Sequence, residues 1–139
     1  MRHQLFIVDD PTPEDRAAIL APLVEYNLRN APPPNPLPLA ILLKDEAGAT
    51  TGGLWGRSVY DWLFVELLAV PETSRGQGVG EALLRRAEEI AAERGCIGVW
   101  LDTFAFQARG FYEKLGYSQF GQLDDHPKGS ARYFMSKRL

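Results

Sequence analysis

The stretch Leu67-Leu68-Ala69-Val70-Pro71-Glu72-Thr73-Ser74-Arg75-Gly76-Gln77-Gly78-Val79-Gly80-Glu81-Ala82-Leu83-Leu84 changes character twice within eighteen residues. It opens as an apolar run, passes through glycine at every second position, and closes with apolar residues at helical spacing. That succession reads as strand, tight turn and helix. Backbone N–H groups in such a turn converge, and the helix N-terminus adds roughly half a positive charge, so an anion is favoured there. Glycine lets the backbone approach a bulky phosphate with no side chain between. Arg75 adds a direct charge at the mouth. The spacing alone also fits a tight turn that holds no ligand.

Working outward, residues 62–70 are apolar enough to form a strand buried on both faces. Residues 79–94 then place Leu83, Leu84, Ala87, Ile90 and Ala91 on one helical face, with Arg85, Arg86, Glu88, Glu89 and Glu93 off it. Gly95 supplies the glycine that usually follows a helix. Residues 97–102 read as the next strand and residues 107–115 as a short helix closed by Gly116. Residues 117–120 and 132–136 read as the final strands. This alternation predicts an α/β fold with a mixed, twisted central sheet flanked by helices and at least two parallel neighbours.

Toward the N-terminus, residues 39–44 and 54–60 read as strands joined by the turn Asp45-Glu46-Ala47-Gly48. Residues 4–8 are short and apolar and read as a further strand. Thr12-Pro13-Glu14-Asp15 has the make-up of a helix start, with a capping hydroxyl, proline at the first position and acids at the positive end. The helix runs to about Asn30, and Pro22 inside it predicts a kink or two short helices. Residues 31–38 hold five prolines and read as a stiff, extended linker, barred from a regular helix or a central strand.

A chain of 139 residues is expected to form one domain, 1–139. Fifteen basic and eighteen acidic residues give a net charge of −3 without a basic stripe, which argues against nucleic acid as a partner. No apolar window approaches the length of a membrane helix, and Met1-Arg2-His3-Gln4 lacks the apolar run of a signal peptide. A cytoplasmic location is therefore expected, with no membrane partner and no metal. A homodimer is compatible with the composition. Cys96, the single cysteine, excludes an internal disulfide and reads as a structural residue.

Two nucleotide motifs fail on spacing. A phosphate loop of the Gly-x-x-x-x-Gly-Lys-Ser/Thr type needs a lysine that is absent here, and Gly-x-Gly-x-x-Gly starting at Gly76 would need glycine where Glu81 stands. The motif that does fit is Arg/Gln-x-x-Gly-x-Gly/Ala, matched by Arg75, Gly78 and Gly80. It is preceded by Leu67-Leu68-Ala69-Val70-Pro71-Glu72 and followed by Phe111-Tyr112-Glu113-Lys114-Leu115-Gly116-Tyr117. In these three blocks, over about residues 63–120, the chain resembles the GNAT family of N-acetyltransferases.

The resemblance implies transfer of an acetyl group from acetyl-CoA to an amine of a small acceptor, by direct attack in a ternary complex. The backbone of Leu68 and Val70 would bond the pantetheine arm where parallel strands splay. The amides of Arg75, Gly76, Gln77, Gly78, Val79 and Gly80 would hold the pyrophosphate. Tyr112 would face the departing sulfur. A tyrosine near pKa 10 giving its proton to a thiolate near 8.5 is uphill by about 2 kcal/mol, so Tyr112 is expected to stabilise the thiolate rather than protonate it. A tyrosine simply packed in the core is the other reading. Many relatives carry asparagine seven residues before the tyrosine, where this chain has Ala105, with Gln107 or Thr103 as substitutes.

Glu66, an acid in an apolar strand, is the first candidate for a general base, and a carboxylate at the sheet surface is its plainer reading. His126, on the loop Asp124-Asp125-His126-Pro127, is the second candidate. The acceptor face is expected from Tyr26, Asn27, the proline linker, Trp55, Trp62, Asp124 and Asp125. A different class of function, an acyl-CoA-binding sensor without activity, would share the cofactor turn.

Overall fold

A computed structural model describes residues 2–139, which form two compact units, up to Pro33 and from Pro34 onward. In the first, α1 spans Pro13–Asn30. Its start is built as the sequence predicts: the Asp15 amide donates to Thr12 Oγ1 at 3.2 Å, and the Thr12 amide donates to Asp15 Oδ2 at 2.9 Å. The expected break at Pro22 does not occur, and α1 is one element of 18 residues. Proline removes one helical hydrogen bond but its fixed φ is itself helical, so a capped helix of about five turns carries it. The strand expected over residues 4–8 is also absent. An apolar run becomes a strand only when an edge receives its N–H and C=O groups, and no ladder includes these residues.

The second unit is a six-stranded sheet in the order β1-β2-β3-β4-β6-β5. Its strands are β1 Leu37–Lys44, β2 Thr50–Val59, β3 Trp62–Ala69, β4 Gly98–Phe104, β5 Ser118–Asp124 and β6 Ala131–Arg138. Helix α2, Val79–Glu93, joins β3 to β4, and helix α3, Arg109–Lys114, lies between β4 and β5. Only β3 and β4 are parallel, the pairing that a crossover helix makes possible. β1 begins two residues before the expected start and takes in Pro38. An edge strand tolerates proline, because one side of its backbone needs no partner.

α2 packs on one sheet face. Leu84, Ala87 and Ala91 form a core with Leu63, Val65, Val99, Leu101 and Met135. Burying each leucine contributes about 2 kcal/mol. Contrary to expectation, β3 is not buried on both faces. Leu63 and Val65 are buried, while Trp62 and Phe64 are half-buried on the opposite face, where Phe64 stacks on Trp100 at 4.2 Å. Glu88, expected off the apolar face, is buried too. It accepts from Tyr117 Oη at 2.8 Å and from Lys137 Nζ at 3.1 Å, so its charge is matched. Gly95 ends α2 at φ +80°, as its position predicts. Arg94 there donates to the carbonyls of Leu37 and Pro38 and to Ser58 Oγ, tying the helix end to β1 and β2. No helix among the described residues is long and apolar enough to cross a membrane.

Candidate active site

The ladder between β3 and β4 runs from Trp62 opposite Gly98 to Val65 opposite Leu101 and stops there. β3 stays paired with β2 as far as Ala69, and β4 stays paired with β6 as far as Phe104. The two parallel strands therefore part while each keeps its outer neighbour. A bulge marks the place. Trp55 faces Leu67 and Gly56 faces Val65, which leaves Glu66 as the extra residue. A bulge bends its strand and increases local twist, which turns β3 away from β4. It also shifts the alternation by one, so that core packing resumes at Leu68 after Leu63 and Val65. Glu66 itself is exposed and has no ion-pair or hydrogen-bond partner among the described residues.

Beyond Val70 a single 3₁₀ turn, Glu72–Ser74, leads into the glycines. Gly76 and Gly78 sit at φ +79° and +75°, the left-handed region that glycine enters without penalty. The amides of residues 76–81 have no backbone acceptor among the described residues, and the first to find one is Ala82, which donates to Gly78 O at 3.0 Å. A Cβ built on Gly76 or Gly78 meets nothing within 4 Å, so that side of the turn is open. Gly80 differs. A Cβ there would lie 3.3 Å from Phe111 Cζ and 3.6 Å from Val70 Cγ2, so this glycine allows α2 to start close against α3. Gln77 donates to Thr73 O at 3.4 Å, and Val79 begins α2. The Arg75 amide, expected among the pyrophosphate donors, instead donates to Glu72 O at 3.2 Å and closes the 3₁₀ turn, while the Arg75 side chain has no hydrogen-bond or ion-pair partner among the described residues.

Tyr112 lies on α3, edge-on to Phe111 at 5.1 Å and to Tyr117 at 6.1 Å, and packs against the core. Burial raises its pKa above the ordinary tyrosine value, and the charge of Asp102 raises it further. Its hydroxyl thus stays protonated at neutral pH and makes no hydrogen bond to the described residues. Of the two substitutes for the asparagine missing at Ala105, Thr103 is buried and donates to Gln107 Oε1 at 3.2 Å. The same Gln107 oxygen accepts from the Phe104 amide at 2.8 Å, which fastens the end of β4.

The remaining candidates scatter. His126 packs its ring 5.3 Å from Phe104, near the end of β4. Trp55 lies opposite Leu67 on β2, beside the bulge. Trp62 begins β3, at the end of the strand away from the parting, which removes it from the expected acceptor face. Tyr26 and Asn27 lie on α1. Asp125 Oδ1 accepts from the Gly129 amide at 3.3 Å and so helps to shape its loop. Cys96 precedes β4, also at the far end, and burial raises its thiol pKa, which suits a structural role.

Sequence reasoning missed Asp102 and Arg132. Arg132 donates to Asp102 Oδ1 from Nε at 2.9 Å and lies within 2.7 Å of the same oxygen through Nη2. The signal was available, because Asp102 is a lone acid in the apolar strand Gly-Val-Trp-Leu-Asp-Thr-Phe, just as Glu66 is in its own.

A family model described as acetyltransferase (GNAT) family matches residues 5–117. The chain belongs to that family. An acetyltransferase of Agrobacterium fabrum is 39% identical over 126 residues, which cover 91% of this chain and 92% of that protein. The blasticidin-S acetyltransferase of Streptomyces morookaense is 42% identical over 95 residues, covering 68% of this chain and 70% of that one. A crystal structure of an acetyltransferase from Agrobacterium tumefaciens superposes with a TM-score of 0.93 at 36% identity, over 99% of this chain and all of that one. This GNAT chain is thus an acetyltransferase by family and by fold, with the parted strands and the glycine turn on one continuous segment.

Proposed function

We propose that this acetyltransferase moves the acetyl group of acetyl-CoA onto the amine of a small acceptor, and that residues 1–139 act as one N-acetyltransferase domain. The observation that carries this reading is the parting of β3 and β4 at the Glu66 bulge, followed on the same chain by six amides without backbone acceptors. The backbone at Leu68, near the end of the β3 ladder, and at Val70, just beyond the strand, suits the amides of a pantetheine arm. The amides at 76–81, with Arg75 beside them, suit a pyrophosphate. The open side of Gly76 and Gly78 leaves room for it.

In this reading the amine nitrogen attacks the acetyl carbonyl carbon, the C–S bond breaks, and CoA leaves as its thiolate. Tyr112 donates a hydrogen bond to that sulfur and keeps its proton, consistent with its raised pKa. An ammonium with pKa near 10.4 costs about 4.6 kcal/mol to deprotonate at pH 7, so the acceptor needs a base. Glu66, exposed and unpaired at the parting, receives that proton directly or through water.

The test is thiol release from acetyl-CoA across blasticidin S, polyamines, aminoglycosides, amino acids and peptides. Blasticidin S comes first because a relative carries it in its name. Acetylation of at least one amine is expected. Tight acetyl-CoA binding with no acetylated amine from the whole panel would replace this reading with that of an acyl-CoA sensor.

A further inference from the structure

Asp102 is the first residue of β4 beyond the last pairing with β3, so it stands where the strands part. Its side chain keeps 15% of its exposure. Arg132 spends Nε and Nη2 on the same oxygen, Oδ1, at 2.9 and 2.7 Å. A pair that served stability alone would gain most from a fork in which each carboxylate oxygen takes one N–H. Here Oδ2 accepts no hydrogen bond from the described residues, and no fully buried side-chain oxygen lacks a partner, so Oδ2 remains reachable from solvent. Arg132 is held in place by the Phe104 and Phe134 rings, 5.3 and 5.5 Å from its guanidinium. Leu101 and Thr103, its neighbours in β4, are buried, so alternation puts Asp102 on the sheet face opposite α2.

On the amine-acetylation reading, we propose that Oδ2 of Asp102 receives the N–H of the acceptor where β3 and β4 part. Arg132 acts as the positioning residue that fixes the carboxylate. The acceptor then arrives as a cationic amine from the face opposite α2. A hydroxyl acceptor offers one donor and no charge to the same oxygen, so this contact discriminates amines from alcohols.

The test is calorimetry on the protein saturated with CoA, titrated with blasticidin S, spermidine, kanamycin and tyramine. Asp102→Asn keeps Oδ1 as an acceptor for Arg132 and removes the charge. Any probe that binds the wild type should lose about 10- to 100-fold in affinity, the scale of one charge-assisted hydrogen bond, while CoA affinity changes less than twofold. Arg132→Leu should lose several-fold for the same probe, and Arg132→Lys should recover part of that loss. Unchanged probe affinity in Asp102→Asn overturns the proposal. So does an equal loss of CoA and probe affinity with a lower melting temperature, and so does failure of every probe to bind the wild-type CoA complex. Turnover is measured separately with the same probes. Binding that depends on Asp102 without acetylation refutes the acetyl-transfer reading and leaves this subsite standing.

Discussion

In the proposed reaction Tyr112 acts on charge rather than giving up its proton. The Phe111 and Tyr117 rings pack edge-on against it, and burial, followed by the charge of Asp102, raises its pKa. The substitution Tyr112→Phe keeps the ring and removes only the hydroxyl. Acetyl-CoA affinity should stay within about twofold while turnover falls on the order of 10²-fold, the usual scale for one such group. Because the contact strengthens as the thiolate forms, kcat and kcat/KM should fall together. Steady-state kinetics on an accepted amine checks this, and an unaltered rate would remove Tyr112 from the chemistry.

The strand–turn–helix segment shows how elements divide the work. Gly78 is needed for its left-handed backbone and open side, whereas Gly80 is needed for the close packing of α2 on Phe111. Gly78→Ala should cost about 1–2 kcal/mol of stability from backbone strain and should weaken acetyl-CoA binding at least tenfold. Gly80→Ala should act mainly on stability. Urea unfolding and calorimetry on the two variants separate these effects, and equal acetyl-CoA affinity in wild type and Gly78→Ala would contradict the assignment of the turn. This segment was legible in the sequence because glycine spacing and helical period are local signals. What was not legible depends on partners far along the chain. Residues 4–8 have strand composition but no ladder. The Glu66 bulge exists only in register with β2. Glu88 is buried only because Tyr117 and Lys137 come to it. Glu66 could be named as a candidate, yet its place at the parting of the strands depends on the register with β2 and on where the β3–β4 ladder stops.

Across the whole molecule, the Glu88 cluster links α2, Tyr117 and β6, and it makes stability sensitive to alkaline pH. Burial and the hydrogen bond to Glu88 raise the Tyr117 pKa far above its ordinary value. A group whose folded pKa is raised gives stability that is complete below its unfolded pKa, about 10 for tyrosine, and that is lost as pH climbs above it. Unfolding free energy should therefore be steady near pH 8 and fall beyond about pH 10, and Tyr117→Phe should flatten that fall. The central claim, direct transfer from acetyl-CoA to an amine, is tested most directly by rapid quenching. Protein and acetyl-labelled acetyl-CoA are mixed with an accepted amine, and both products are followed by mass spectrometry. The acetylated amine and free CoA should appear one for one at a single rate, with no acetyl group on Cys96 or any other residue. Release of CoA without acetylated amine, or an acetylated protein that forms before the amine product, would contradict it.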